Sequence, residues 1–442
     1  MLERYFKFSE NDTTLQREIY GGVTTFMTMA YIIFVQPVVL AAAGMDLEAV
    51  LAATCLASAF ATILMGLLAN YPIALAPGMG HNFFFTYVVV LTLGYSWQQA
   101  LGAIFISGSL FILMAFWGFR EKLINSLPGS LKSAIAVGIG LLIAMVGLQW
   151  SGIVVDDPAT LMGLGDLTSP PVLLSILGLT VMSVALTLKF RAGILLGFIV
   201  TLLTGLATGM VTYTGIVGGI PSLTPTLFQL DIGGALQTGM VSIIFIFFFL
   251  DLFDTVGTLV GITQEAGFIR EDGTLPRARQ ALLADAIGTV SGTLLGTTTV
   301  TSYIESSSGV SAGARTGFAS IVTGILFLLA IFLSPLLRMV GGGIEISEGV
   351  RLYPIIAPAL IVVGCYMMKN VRYIPWDDFS EAIPAFLTMV MMPLTFSITE
   401  GIAIGFISYT LLKTVQGKLR EVPLLISVFA VLFVLRYIFL AG

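Results

Sequence analysis

Charge is what this sequence has least of. Only 10% of its 442 residues are Asp, Glu, Lys or Arg, against 57% hydrophobic residues, and the mean hydropathy is +1.00. Ordinary soluble domains carry about 25% charged residues, so a soluble fold is excluded and the chain reads as a polytopic membrane protein in a lipid bilayer. Histidine is nearly absent. The only one, His81, rules out a histidine-rich metal site or a relay of several imidazoles. The two cysteines, Cys55 and Cys365, lie in apolar stretches, which argues against a disulfide framework or a zinc site and predicts two buried small hydrophobes. The formal net charge of -5 gives no indication of a nucleic-acid partner. No cleavable signal peptide is expected, because Glu3, Arg4, Lys7, Glu10, Asp12, Arg17 and Glu18 precede the first apolar run. Gly341-Gly342-Gly343 lacks the lysine and helix of a phosphate-binding loop and reads as a flexible turn. Nothing calls for a metal, a cofactor or a catalytic residue.

What the chain does have is a succession of apolar segments near the roughly 20 residues that a membrane helix needs. They fall at 21–40, 49–68, 74–93, 100–118, 132–153, 171–188 and 193–211, then at 239–262, 281–295, 297–314, 316–337, 353–368, 383–398 and 402–412. A last apolar stretch at 423–440 could span the membrane or lie against the bundle. Basic residues collect on cytoplasmic loops. With a cytoplasmic N-terminus, all 20 Lys and Arg except Arg338, Arg351 and Arg436 fall on that side, Arg120, Lys122 and Arg270 among them. Seven crossings precede the eighth segment, so the second set of seven is inverted relative to the first. The sequence therefore predicts an all-α polytopic membrane protein of 14 transmembrane segments in two inverted 7-segment repeats.

The third segment of each set is interrupted, at PIALAPGMGHNFFF (72–85) and at TTTVTSYIESSSG (297–309). Such breaks in matching positions of two halves point to a transporter's binding site. β-favouring residues up to Tyr303 and small residues after Glu305 predict short extended stretches followed by half-helices. An ionisable residue at this depth, Glu305, is a functional candidate, with Ser306 beside it. The plainer alternative is a small-residue packing seam with a snorkelling glutamate. In the eighth segment Asp251, Asp254 and Thr258 are spaced to share a helix face, and two buried carboxylates there must be protonated, hydrogen-bonded or open to a cavity. Asp285 in the ninth segment is read as a structural tie. His81 and Asn82 follow the break at 77–80 and begin the second half of segment three. Asn82 can both donate and accept, as a heterocycle requires, and Phe83, Phe84 and Phe85 offer stacking surface.

Four stretches carry a resemblance: GGVTTFMTMAYIIFVQP (21–37), APGMGHNFFF (76–85), FFFLDLFDTVGTLVG (247–261) and TTTVTSYIESSSGVSAGARTG (297–317). Together they resemble the AzgA-type purine permeases, a branch of the nucleobase-ascorbate, or xanthine/uracil, permease superfamily, over essentially the whole chain. The resemblance implies a core domain (21–118 and 239–337) sliding in elevator fashion against a gate domain (132–211 and 353–418), followed by the apolar segment 423–440. It implies import of adenine, guanine or hypoxanthine with protons across the cell membrane, with Asp254, Glu305 and Asn82 at the base; Asp254, Glu305 and, as a second buried acid of the eighth segment, Asp251 are the proton-coupling candidates. Relatives of this fold dimerise through the gate, so a homodimer is left open. The family motif commonly reads APGMGLNAFF, and His81 and Phe83 replace its Leu and Ala, which bears on base specificity. Two other readings stand beside this one. An anion carrier of the same architecture, of the sulfate type, would suffer from two carboxylates at its site. An intramembrane aspartyl protease needs acids facing each other from different helices, which only Asp254 with Asp285 could supply.

Overall fold

A computed structural model of the chain describes residues 2–117, 128–268, 275–347 and 350–439. Arg120, Lys122, Arg270 and the expected segment ends at 118 and 440 lie outside the described residues. The first repeat comprises α1 (Leu15–Met29), α2 (Ile32–Ala42), α3 (Leu47–Leu68), β1 (Leu75–Pro77), α4 (Met79–Phe83, continuing as a π-helix over Phe84–Thr92), α5 (Trp97–Trp117), α6 (Gly129–Trp150), the hairpin β2 (Val154–Asp157) and β3 (Leu161–Leu164), α7 (Pro170–Thr187) and α8 (Gly193–Ala207). The second comprises α9 (Val241–Glu265), α10 (Ala278–Leu295), β4 (Val300–Ser302), α11 (Ser306–Ser311), α12 (Gly317–Ala330), α13 (Ser334–Gly341), the hairpin β5 (Ile344–Ser347) and β6 (Val350–Leu352), α14 (Ala357–Met367), α15 (Phe379–Thr395) and α16 (Ile398–Val415). A last helix, α17, covers Leu424–Phe439. Among the described residues seven helices are long and apolar enough to cross a membrane, and shorter apolar helices lie between them.

Local chemistry explains most boundaries. Asp46 starts α3 by accepting from the backbone N–H groups of Glu48 and Ala49. Asp378 starts α15 in the same way through Ser380, and Ser397 starts α16 through Glu400. These caps place the two helices at Phe379–Thr395 and Ile398–Val415, earlier and longer than the apolar pattern alone indicates, with Phe396 turning between them at φ +50°. The first segment departs from expectation: it is two helices, joined at Ala30 and Tyr31. Cys55 is buried as expected, but Cys365 is exposed on α14, because a span buries only the side that meets other helices.

The chain divides into two compact units, 1–117 with 147–359, and 118–146 with 360–442. In the first, α3 packs against α12 and α10 with glycine at the closest point: a Cβ on Gly317 would meet the backbone of Gly66. At its centre β1 and β4 pair antiparallel, Leu75 opposite Ser302 and Pro77 opposite Val300. A two-stranded ribbon leaves both outer edges unpaired, which an apolar interior does not tolerate. Threonines on the flanking helices close them. Thr62 of α3 exchanges hydrogen bonds with Leu75 N and O, both 2.9 Å, and Thr289 of α10 does so with Val300 N (3.2 Å) and O (2.9 Å). In the second unit α15 packs on α16, and α16 on α17. Arg436 and Tyr437 near the end of α17 bond Glu400 in the first turn of α16, so α17 runs antiparallel alongside it.

Candidate substrate site

The paired strands send two short helices away in opposite directions, α4 from β1 and α11 from β4. Extended backbone up to Ser302 and helix from Ser306 match the reading of that stretch as strand, then Glu305, then helix. The ribbon's ends are tied by Gly78 N to Thr299 O at 2.9 Å and Tyr303 N to Ala74 O at 3.0 Å, and Tyr303 Oη donates to Pro77 O at 2.5 Å. Against this frame α9 packs on β4, α4 and α11.

Two carboxylates come within electrostatic range of each other here. Glu305 is half-buried, and its Oε1 accepts a 2.7 Å hydrogen bond from Tyr31 Oη. Tyr31 stands at the joint between α1 and α2, so the break in the first segment is what brings a phenol to this acid. The Asp254 side chain is 41% exposed and lies within electrostatic reach of Glu305. Its Oδ2 is 3.8 Å from His81 Nδ1. Thr258, one turn along α9, is half-buried.

The other candidates sort by what they touch. Asn82 is buried. Its Oδ1 accepts from Thr298 Oγ1, and its Nδ2 has no hydrogen-bond partner, which leaves amide donor capacity at the site. Gln36 of α2 fixes that threonine, donating to Thr297 Oγ1 at 3.0 Å and Thr298 Oγ1 at 3.1 Å. His81 is 2% exposed, with neither ring nitrogen hydrogen-bonded. Phe83 is fully buried and stacks on Tyr87 at 5.6 Å, so its bulk turns into packing. Ser306 is also fully buried. Its Oγ accepts from Ala74 N at 3.0 Å and stitches α11 to the approach of β1. Asp251 is 1% exposed and joins a buried knot: Thr255 Oγ1 lies 3.4 Å from Asp251 Oδ1, 2.9 Å from both Asp285 oxygens and 3.0 Å from Thr301 Oγ1. Asp285 thus ties α10 to α9 and β4, the structural role read from sequence. Tyr31, Thr255, Thr298 and Gln36 were missed. Only Gln36 carried a signal, as an uncharged amide fully inside an apolar segment.

Chemically the site offers acceptors in Asp254 and Glu305 and a donor in Asn82, an arrangement suited to a neutral ring bearing N–H groups and acceptor atoms. Among the described residues no three His, Cys, Asp or Glu gather as metal ligands would.

Comparison with known proteins shows the family. Residues 16–404 match the Xan_ur_permease model, described as a permease family. The chain is 49% identical over 452 residues to the guanine/hypoxanthine permease PbuG of Bacillus subtilis (strain 168), covering 99% of this chain and 100% of that one. It is 46% identical over 440 residues to the adenine permease AdeP of Escherichia coli (strain K12), covering 100% of this chain and 96% of that one. Among solved structures, the transmembrane domain of the cyanobacterial bicarbonate transporter BicA matches with a TM-score of 0.64 at 14% identity, over 87% of this chain and 97% of that one. At that identity the likeness is one of fold: two inverted repeats of seven segments. Such relatives are carriers rather than enzymes, and a permease model spanning most of the chain leaves one assignment. This multi-pass membrane protein belongs to the nucleobase-ascorbate (xanthine/uracil) permease family, in its AzgA-type branch.

Proposed function

We propose that the protein imports purine nucleobases, hypoxanthine and guanine or adenine, across the cell membrane by proton symport, with its N-terminus in the cytoplasm. What supports this reading is the pair Asp254 and Glu305 near the antiparallel β1–β4 ribbon, with His81 3.8 Å from Asp254 and the unbonded amide of Asn82 on the same short helix as His81. Glu305 and Asp254 accept N–H groups of the base, and the Asn82 amide serves a ring acceptor. Two carboxylates within reach of each other inside a membrane resist being charged together, so taking up a proton with the base relieves their repulsion and couples the two fluxes. Asp251 is a second place for the proton, joined to Asp285 through Thr255. The part that bears the site (21–118 and 239–337) moves as a core against a gate (132–211 and 353–418).

The bicarbonate carrier shares the fold, but an anion placed between Asp254 and Glu305 meets two like charges, which disfavours a sulfate-type substrate. The test is uptake of radiolabelled hypoxanthine, guanine, adenine, uracil and xanthine into cells lacking their own nucleobase carriers, with and without a protonophore. Purine uptake that collapses with the proton gradient, and that is lost in Asp254→Ala and Glu305→Ala with the protein still in the membrane, is expected. Wild-type uptake in both variants would show the site to lie elsewhere.

A further inference from the structure

His81 has no task in the mechanism above. Leaving a buried polar group unpaired is unfavourable, so an imidazole buried with neither nitrogen bonded needs a reason in another state of the carrier. Its Nδ1 stands 3.8 Å from Asp254 Oδ2, one side-chain adjustment beyond hydrogen-bonding range. The turn before it is shaped to keep it there. A Cβ on Gly78 would stand 2.6 Å from both His81 Nδ1 and Thr301 Cγ2, so only glycine lets the ring and β4 crowd the same turn. The elements packed on α4 are its π-helical continuation, α2 and α9. Of these α2 carries no titratable group, the π-helix carries Tyr87, stacked on Phe83, and α9 carries Asp254, Asp251 beside Thr255, and Glu265 at its far end. Nearby, Tyr303 Oη donates to Pro77 O and Glu305 accepts from Tyr31.

Symport asks two incompatible things of Asp254. It must be neutral for the loaded site to cross the membrane, yet a protonated carboxyl offers the base's N–H only its neutral carbonyl oxygen, a weaker acceptor than a carboxylate. We propose that His81 is the proton-holding partner of Asp254: as a base binds, the proton on Asp254 Oδ2 passes to His81 Nδ1. The O–H bond breaks, the N–H bond forms, and the pair remains neutral overall as imidazolium and carboxylate. Asp254 then accepts from the imidazolium through Oδ2 and from the base through Oδ1. The site holds proton and base together without a net charge on the pair. This inference rests on the purine symport reading and adds a positioning residue that acts through Asp254.

Because the chain has a single histidine, its ring can be observed without assignment. Protein purified without a histidine tag and carrying 15N-histidine is titrated with hypoxanthine, guanine and adenine. Binding should convert the ring from neutral imidazole to imidazolium, and Asp254→Asn should remove the conversion. A bound base with the ring still neutral would overturn the proposal. In parallel, equilibrium binding is compared across pH. His81→Leu should match wild type at alkaline pH and bind about tenfold more weakly at acid pH, once Asp254 holds the proton itself. Identical profiles, or full recovery by the non-titrating donor in His81→Asn, would also overturn it. If the wild type binds none of the three purines, the transport reading falls and this inference with it. If a purine binds and the ring does not change, only the role of His81 falls.

Discussion

The glutamate at the centre of the site owes its geometry to a tyrosine 274 positions away. Glu305 itself was legible: β-branched residues before it and small residues after it specify strand, then helix, and a carboxylate at that junction needs a reason. Its partner was not, because Tyr31 looks like one aromatic among many in an apolar segment, and only the joint between α1 and α2 turns its hydroxyl inward. Likewise the spacing grouped Asp251 with Asp254 but did not show their different neighbours: Thr255 with Asp285 for the one, His81 for the other. A hydrogen bond to a charged group contributes roughly 1.5–3 kcal/mol, so losing it allows the carboxylate to rotate away from the base. Tyr31→Phe should therefore leave folding intact and raise the KM for purine uptake by about tenfold, measured beside surface abundance. An unchanged KM would mean that Glu305 is held by other contacts.

At the scale of elements, the ribbon and its two half-helices work only if their neighbours approach closely. The alternative reading of 297–314 as a small-residue seam is also correct for one face of it: a Cβ on Gly309 would meet Thr25 Oγ1 and stand 2.7 Å from Gly21 O, so α11 lies directly on α1. The seam and the site are the same element seen from two sides, and Glu305 is bonded rather than snorkelling. The far end is anchored by Glu18, whose carboxylate accepts from Arg315 N at 2.7 Å and Ala319 N at 3.2 Å and so caps α12. Sequence alone could not show this, since Glu18 belongs to the charged opening and its partners come some 300 residues later. Added bulk where backbone meets backbone costs roughly 1–3 kcal/mol. Gly309→Ala should lower the melting temperature of the purified protein and reduce uptake by displacing Glu305, whereas Gly219→Ala, with nothing within 4 Å, should do neither. Equal melting temperatures and uptake in the two variants would show that α11 can shift without consequence.

For the whole molecule, the inverted repeat was readable because charge is so scarce that each basic residue carries information. The three that break the cytoplasmic pattern are each paired with an acid: Arg338 with Glu48, Arg351 with Glu345 at 3.4 Å, and Arg436 with Glu400 at 2.9 Å. Three exceptions against 17 residues on the expected side leave the orienting bias in place. The last apolar stretch was ambiguous because its length suits either placement, and the Arg436–Glu400 pair resolves its course as a helix antiparallel to α16. The register makes a definite prediction for two exposed positions. Ala159, in the hairpin between β2 and β3, follows an odd number of crossings, and Gln416, just past α16, follows an even number. With Cys365→Ser as background, Ala159→Cys should react with a membrane-impermeant thiol reagent in intact cells, and Gln416→Cys should react only after permeabilisation. The reverse pattern would place the N-terminus outside. Reaction of both in intact cells would mean that one segment does not cross, and α15 with α16, joined by a turn of only two residues, is where that failure would have to be sought.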